Sequence, residues 1–279
     1  MRMQTTVAAL GALFLGLPAA AASFTPPQGC TTFLTVQNKS CSVSLQWRCD
    51  NAPNDEFWTA TYSLDGLESI VSYSGDYQWL TAIYLWDSSR EEFSPPAADP
   101  ISISTLLRSG SDTFDFTMRR TVDDQSYDVR VVGADVLTGE TTEIDGYALD
   151  LVNTRVEIIA DDGTVEYKSA GTQYVSRSLR QFFLGTESVF ETDGSSTEYV
   201  DRPVDIIEPG EPGFGSTVPL YDCNQLDAGL APDAGGLPSN PTVTIDKKPH
   251  GHAFEGGERR RQMTEADMFA MYAPKDGET

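Results

Sequence analysis

The side chains that most often carry catalysis or hold metal ions are scarce in this sequence. Only two of the 279 residues are histidines, His250 and His252, and both lie in a segment rich in Pro, Gly, Asp and Ala near the carboxyl terminus. The chain before them lacks the imidazole that a Ser-His-Asp triad or a histidine-ligated metal requires. The His-Gly-His spacing could capture copper or nickel, but two ligands are a weak signal. We predict no catalytic residue, no metal site and no cofactor.

Carboxylates are the reactive groups in excess, with 42 Asp and Glu against 19 Lys and Arg and a formal charge of −23. A field of this sign excludes binding to nucleic-acid phosphates and to anionic lipid surfaces. The pairs Asp123-Asp124 and Asp161-Asp162 fall at expected turns, where Asp is favoured because its side chain bonds the nearby backbone. A glycosidase requires two carboxylates at a set separation in a cleft, and the sequence does not show which two of the 42 acids would form such a pair. A carboxylate-based glycan hydrolase is for this reason only the alternative hypothesis.

Aromatic residues are concentrated in one strand-like stretch of the chain. They are Trp58, Tyr62, Tyr73, Tyr77, Trp79, Tyr84 and Trp86. Aromatic side chains on strands more often fill a β core, but they can also line a concave binding pocket. The second interpretation defines a candidate binding surface on an exported, non-enzymatic envelope or periplasmic protein. The sequence does not identify the partner; an apolar small molecule or an envelope protein would suit such a surface.

Four cysteines follow the amino-terminal segment: Cys30, Cys41, Cys49 and Cys223. An even number in an exported protein predicts two disulfides. Apolar and polar residues alternate between Cys41 and Cys49, which indicates a continuous strand. The ends of such a strand are roughly 26 Å apart, whereas a disulfide requires Cα atoms within about 7 Å, so these two cysteines do not pair.

The disulfide pairing follows from the hairpin that ends in this strand. If the chain folds back before Cys41, Leu34 faces Leu45 and the apolar residues of both strands share one face. The same register places Cys30 opposite Cys49. We therefore predict the disulfides Cys30–Cys49 and Cys41–Cys223, with Cys30–Cys41 and Cys49–Cys223 as the alternative in another register.

Composition divides the chain into three segments. Residues 1–22 combine Arg2, an apolar run over 7–17 and a small-residue end, which is the pattern of a secretory signal peptide. The apolar run is shorter than the roughly 20 residues that span a bilayer, so we predict no membrane span after cleavage. We predict an antiparallel β domain closed by disulfides at 23–223, and a mostly disordered tail at 224–279 with a short helix at 264–272. The product would be extracytoplasmic, either periplasmic or secreted.

Alternating apolar residues separated by turn residues recur through the predicted domain and indicate an all-β fold. The turn signals are Asp65-Gly66, Thr138-Gly139, Asp162-Gly163, Ala170-Gly171 and Asp193-Gly194. We predict an antiparallel sheet, barrel or sandwich of roughly ten strands. One short helix is predicted with Asp99 as N-cap, Pro100 at the first helical position, an end at Arg108 and Gly110 near the C-cap. Because residues 101–105 also alternate, a strand there is the alternative.

Overall fold

A computed structural model describes residues 23–223, which form one antiparallel sheet of thirteen strands with one short α-helix. The strands are β1 (Cys30–Asn38), β2 (Ser42–Cys49), β3 (Phe57–Ser63), β4 (Gly66–Tyr73), β5 (Trp79–Tyr84), β6 (Ser89–Asp99), β7 (Ser111–Val122), β8 (Gln125–Ile144), β9 (Tyr147–Ala160), β10 (Val165–Ser176), β11 (Gln181–Phe190), β12 (Ser196–Val200) and β13 (Pro203–Ile207). Helix α1 covers Ile103–Ser109, and a 3-10 turn covers Pro53–Asp55. The predicted all-β antiparallel class is confirmed as a single open sheet. The predicted signal peptide at 1–22, the tail at 224–279 and the helix at 264–272 lie outside the described residues.

The strand order is a meander with one long-range pairing. From β1 to β12 every strand pairs with the next along the chain, and β13 then pairs with β1. The link between β12 and β13 contacts strands at both ends of this order. The Asp201 N–H donates to the Gly185 carbonyl at 2.8 Å, and the Lys39 N–H donates to the Arg202 carbonyl at 3.0 Å. The two ends of the sheet therefore approach each other at residues 201–202.

Two of the predicted turns lie inside strands. Thr138-Gly139 belongs to β8, at an irregularity in its pairing with β9, and the chain reverses instead at Asp145-Gly146, where both residues have positive φ. Ala170-Gly171 belongs to β10. A Cβ on Gly171 would lie 1.9 Å from the carbonyl oxygen of Thr186 on β11, so glycine permits a close approach of two strands there. Glycine in a strand marks a bulge or a close contact, and sequence alone does not separate these from a turn.

Strand β6 covers a stretch over which the apolar pattern predicts no strand. It contains Pro95-Pro96, and its pairing with β7 is interrupted between Ser94 and Asp99. Proline cannot donate a hydrogen bond to a ladder, so such a sequence is typical of a loop. Strands such as β6 raise the number from the predicted ten or so to thirteen.

Both predicted disulfides are confirmed. Cys30–Cys49 joins paired residues of β1 and β2, with Cα atoms 3.9 Å apart. Cys41–Cys223 connects the turn between these strands to the end of the described residues, with Cα atoms 4.7 Å apart. Two disulfides indicate an oxidising, extracytoplasmic environment.

The predicted register of the β1–β2 hairpin is wrong beyond the first disulfide. The pairing shifts by one residue between Thr32 and Leu34, so Leu34 faces Gln46 rather than Leu45. Leu34 packs in a cluster with Phe183, whereas Leu45 packs in a separate cluster. A shift of one residue moves a side chain to the other face of the sheet, which is why the apolar residues of this hairpin divide between two faces.

The largest core lies against β7, whose buried face carries Phe114, Phe116 and Met118. Helix α1 contributes Ile103 and Leu106, both fully buried, to the same cluster. The helix therefore packs against β7 and β8 at one end of the core.

Replacement of Gly133 tests how tightly this core is packed. Gly133 on β8 faces Phe114, and a Cβ added to it would lie 2.3 Å from the Phe114 ring and 2.2 Å from the carbonyl oxygen of Arg155. We expect Gly133→Ala to lower the free energy of unfolding by about 1–3 kcal/mol, because overpacking displaces its neighbours. Urea unfolding measures this. The control is Gly163→Asn at an open turn position with φ +86°, which Asn tolerates; equal losses in both variants would contradict the packing argument.

Helix α1 is confirmed, but its amino-terminal boundary differs from the prediction. The N-cap is Ser102, whose hydroxyl accepts from the Thr105 N–H at 3.0 Å. Asp99 instead ends β6, and its carboxylate accepts from the Thr113 hydroxyl at 2.6 Å. Gly110 is the C-cap with φ +85°, as predicted. Within residues 23–223, no helix has the length and apolar character to cross a membrane.

Candidate functional site

Two buried carboxyl groups lie opposite each other at the α1 end of the largest core. Asp112 begins the buried face of β7 and is only 5% exposed. Its partner across the ladder is Asp135 on β8, which is 6% exposed. Directly opposite residues in an antiparallel pair have Cβ atoms about 5 Å apart, so the two carboxyl groups share one site.

The pKa of each of these carboxyl groups is raised. Burial raises the pKa of Asp112 to about 6, and the nearby charges of Asp99 and Asp76 act in the same direction. A hydrogen bond of 2.8 Å from the Ser102 N–H to Asp112 partly opposes this effect. Burial also raises the pKa of Asp135 to about 6, with a further contribution from the charge of Asp112. The pair therefore changes its charge close to neutral pH, as groups in functional sites often do.

Asp76, in the loop between β4 and β5, connects this loop to the first turn of α1. Its carboxylate accepts from the Ser104 N–H at 3.0 Å, from the Ser104 hydroxyl at 2.5 Å and from the Ser102 hydroxyl at 2.6 Å. Partial burial acts to raise the pKa of Asp76, but these hydrogen bonds and the charge of Arg180 outweigh burial and lower it below its ordinary value. Asp76 is therefore ionised at neutral pH, while Asp112 nearby retains its proton up to about pH 6.

Replacement of Asp76 tests whether it holds α1 in place. We expect Asp76→Ala to lower the free energy of unfolding by about 1–2 kcal/mol, because the helix loses charged hydrogen bonds at its first turn. Thermal and urea unfolding measure this loss. Asp50→Ala, at an exposed position beyond β2, is the matched control and should change stability by less than about 0.5 kcal/mol. An unchanged midpoint for Asp76→Ala would contradict the role assigned to this carboxylate.

Asp76 and Asp112, together with Asp99, border a cleft of about 450 Å³ beside α1, whereas Asp135 stands behind Asp112 and does not line it. We call it the acidic cleft; it is lined by Ser74, Asp76, Gln78, Asp99, Pro100, Ile101, Ser102, Thr105, Ser111, Asp112 and Thr113. Carboxylates and hydroxyls dominate this lining, and no Lys or Arg belongs to it. The volume is typical of sites for small molecules.

No family model, curated protein or solved structure matches this chain. Its function has to be inferred from the chemistry of its own residues. Across residues 23–223, no three His, Cys, Asp or Glu side chains are arranged as ligands of one metal ion.

The predicted aromatic surface is divided between two cores and a separate pair, of which only Trp86 is exposed. Trp58 and Tyr62 belong to one buried cluster, and Tyr77 belongs to the largest core, against which Tyr73 and Trp79 pack. These five side chains therefore do not form one continuous face.

Tyr84 and Trp86 form a separate pair at the end of β5. Their ring centroids are 4.7 Å apart, and Trp86 is 38% exposed. A binding role for the aromatic residues stays a prediction, and this pair is the part of the set that is most accessible to a partner.

The adjacent acidic pairs that stand out in the sequence occupy turns, as predicted. Asp123 and Asp124 have positive φ in the turn between β7 and β8. Asp162 accepts from the Thr164 N–H at 2.9 Å in the turn between β9 and β10, next to Asp161. These carboxylates stabilise the backbone of turns and lie outside the acidic cleft.

The acidic cleft is the feature that the sequence patterns miss, although they contain a usable signal for it. Asp112 is in phase with Phe114, Phe116 and Met118, and Asp135 continues the apolar alternation of β8. An acid on the buried face of a strand violates the usual pattern, and such violations occur at functional sites. Asp76 and Asp99 have no comparable signal, because Asp76 lies in a loop and Asp99 at the end of β6, after the interruption in its pairing with β7.

Proposed function

We propose that this chain is an exported, non-enzymatic binding protein that takes a small organic cation in the acidic cleft. The observation that carries the proposal is the convergence of Asp76, Asp99 and Asp112 on one cleft whose lining contains no basic residue. The charges of Asp99 and Asp76 disfavour the ionised form of Asp112, and a bound cation would offset this repulsion.

The lining favours a primary ammonium group over a quaternary one. An ammonium group donates three hydrogen bonds, and the carboxylates and the hydroxyls of Ser74 and Thr105 offer acceptors. Quaternary ammonium groups are recognised mainly by aromatic faces, and no aromatic ring belongs to this lining. The two disulfides support the extracytoplasmic setting, and export to the periplasm or beyond is part of the proposal.

Calorimetric titration with n-butylammonium at about pH 7.5 tests the proposal, because Asp112 is then largely ionised. We expect saturable binding that is weakened about tenfold or more in Asp112→Asn, which keeps the shape but removes the charge. Asp124→Asn removes the same charge in the turn at the far end of β7, where Asn tolerates positive φ. This control should bind like the unmodified protein. Equal weakening in both variants, or no saturable binding, would contradict the proposal.

A carboxylate-based glycan hydrolase is the second candidate, and one observation favours it. The pKa of Asp112 is raised and that of Asp76 is lowered in the same cleft, and such a divergence is the basis of paired acid and base roles. Release of reducing ends from a panel of polysaccharides tests this function. Activity that disappears in Asp112→Asn and persists in Asp124→Asn would favour hydrolysis over simple binding.

A further inference from the structure

A second cleft of about 390 Å³ lies beside the acidic cleft and has the opposite character. We call it the arginine cleft; it is lined by Arg48, Asp55, Phe57, Gly75, Ser178, Leu179, Arg180 and Gln181. We propose that it binds the oxyanion group, carboxylate or phosphate, of a zwitterionic ligand whose ammonium group occupies the acidic cleft. The ammonium end rests on the proposed function, whereas the oxyanion site stands on its own residues.

Arg48 is held by aromatic rings rather than by a carboxylate. Its guanidinium lies 4.2 Å from the ring centroid of Phe33 and 5.9 Å from that of Phe57. No carboxylate of residues 23–223 forms an ion pair with it; Asp55, which lines the same cleft, is beyond that distance. Stacking leaves the N–H groups at the edge of the guanidinium plane available, and this edge matches the two oxygens of a carboxylate or phosphate.

Arg180 forms the boundary between the two clefts. Its Nη2 donates to the Ser104 hydroxyl at 2.9 Å and lies 3.4 Å from the Asp76 carboxylate, while the side chain remains half exposed and lines the arginine cleft. Five N–H donors on one guanidinium can serve both sides. Arg180 therefore contacts Asp76 of the acidic cleft and also supplies positive charge to the arginine cleft.

Tyr77 packs against the lining of the arginine cleft, with its ring centroid 5.1 Å from that of Phe57. Burial raises the pKa of its phenol strongly, and the positive charges of Arg48 and Arg180 both act to lower it. The hydroxyl donates to the Gln181 side chain and accepts from the Phe182 N–H at 2.9 Å, which fixes the β11 end of the arginine cleft. Tyr77 thus connects Phe57 and Gln181, two residues that line the arginine cleft with Arg48 and Arg180.

The linings of the two clefts adjoin each other along the loop between β4 and β5. Ser74 and Asp76 line the acidic cleft, and Gly75 between them lines the arginine cleft. Arg180, which lines the arginine cleft and lies 3.4 Å from Asp76 of the acidic cleft, marks a second point where the two clefts adjoin, so the proposed ligand carries its two charges only a few bonds apart. A net charge of −23 repels free anions at long range. A zwitterion with no net charge avoids this repulsion and still presents an oxyanion to the arginines.

Four probes separate the two ends: n-butylammonium, butyrate, 4-aminobutyrate and glycerophosphoethanolamine, whose phosphodiester carries one negative charge and balances its ammonium group. In calorimetric titrations at low salt, we expect 4-aminobutyrate to bind about tenfold or more tightly than n-butylammonium. Arg48→Gln should remove this advantage and leave the affinity for n-butylammonium unchanged. The control Arg119→Gln alters an exposed arginine that pairs with Asp128 on the sheet, and it should bind all probes like the unmodified protein. The tighter of the two zwitterions identifies carboxylate or phosphate as the oxyanion.

Two results would overturn the oxyanion site. The first is that 4-aminobutyrate binds no more tightly than n-butylammonium. The second is that Arg48→Gln changes neither the affinity for butyrate nor the affinity for 4-aminobutyrate. Failure of the proposed function looks different: n-butylammonium does not bind, while butyrate binding that depends on Arg48 still supports the oxyanion site. Arg48→Lys keeps the positive charge but lacks the planar guanidinium. If this variant keeps its melting temperature and loses part of its affinity for 4-aminobutyrate, the result supports recognition by the guanidinium.

Discussion

Removal of the Cys41–Cys223 disulfide in the double variant Cys41→Ser/Cys223→Ser is expected to lower the free energy of unfolding by about 5 kcal/mol. The bond joins residues 182 apart in sequence, and a long closed loop restricts the unfolded chain strongly in the entropic model. The segment before Cys223 also lies across β1, where Gln37 donates to the Val218 carbonyl and accepts from the Leu220 N–H, both at 3.0 Å.

Urea unfolding under non-reducing conditions measures this effect, with Cys30→Ser/Cys49→Ser as the matched control. The second disulfide joins residues only 19 apart, so its removal should lower the free energy of unfolding by about 3 kcal/mol. A loss for the Cys41–Cys223 variant that is equal to or smaller than the loss for the control would contradict the role of the long loop.

Replacement of Asp135 by Asn is expected to stabilise the protein by as much as about 3 kcal/mol at about pH 7.5, because a pKa raised by roughly two units corresponds to that free energy. The pKa of Asp135 is about 6 in the folded protein, against about 3.9 for an unfolded chain. Below about pH 4 the group is protonated in both states, so it does not destabilise the fold. Between the unfolded pKa of about 3.9 and the folded pKa of about 6, Asp135 loses its proton in the unfolded chain but keeps it in the folded protein. The stability of the unmodified protein therefore falls as pH rises through this range.

The pH dependence of unfolding therefore distinguishes Asp135 from an ordinary surface acid. Asp135→Asn should gain stability over the unmodified protein only above about pH 4, with the full gain above about pH 6. Asp193 is the control of opposite sign, since hydrogen bonds from Ser195 lower its pKa; Asp193→Asn should not stabilise the protein near neutral pH. A constant difference between Asp135→Asn and the unmodified protein across this pH range would contradict the raised pKa.

A stabilising effect of Asp135→Asn would also indicate that the Asp112–Asp135 pair has a functional rather than a structural role. A buried acid opposite another acid lowers stability at neutral pH, and proteins retain such residues mainly where function requires them. The stability difference would then indicate that the Asp112–Asp135 pair, of which Asp112 lines the acidic cleft, is retained at a cost to stability.

The β class and both disulfides could be predicted because they depend on local alternation and on distances along one strand. The helix was predictable from its C-cap Gly110, while its start was not, since Ser102 and Asp99 are both good capping residues. The register of the first hairpin was not predictable, because the shift between Thr32 and Leu34 has no distinct residue signature.

The candidate site was less predictable than the fold because it is assembled from distant segments. Asp112 and Asp135 are joined by the register of β7 with β8, and Arg48 on β2 lines the same cleft as Arg180 although β2 and β11 are far apart in the strand order. The aromatic residues, which stand out in the sequence, largely supply the cores. The sequence does contain an acid on the buried face of each of two strands, Asp112 on β7 and Asp135 on β8. Asp112 lines the acidic cleft, and Asp135 lies opposite it in the ladder.

The most direct measurement of the central claim is the carboxyl pKa of Asp112 by carbon-13 NMR, with and without saturating n-butylammonium. The acidic cleft predicts a pKa of about 6 in the free protein and a clear decrease on binding, because a cation beside the carboxyl group favours its charged form. The exposed Asp193 should titrate identically in both samples. An Asp112 pKa that is unchanged by n-butylammonium would contradict the proposal that this cleft binds an organic cation.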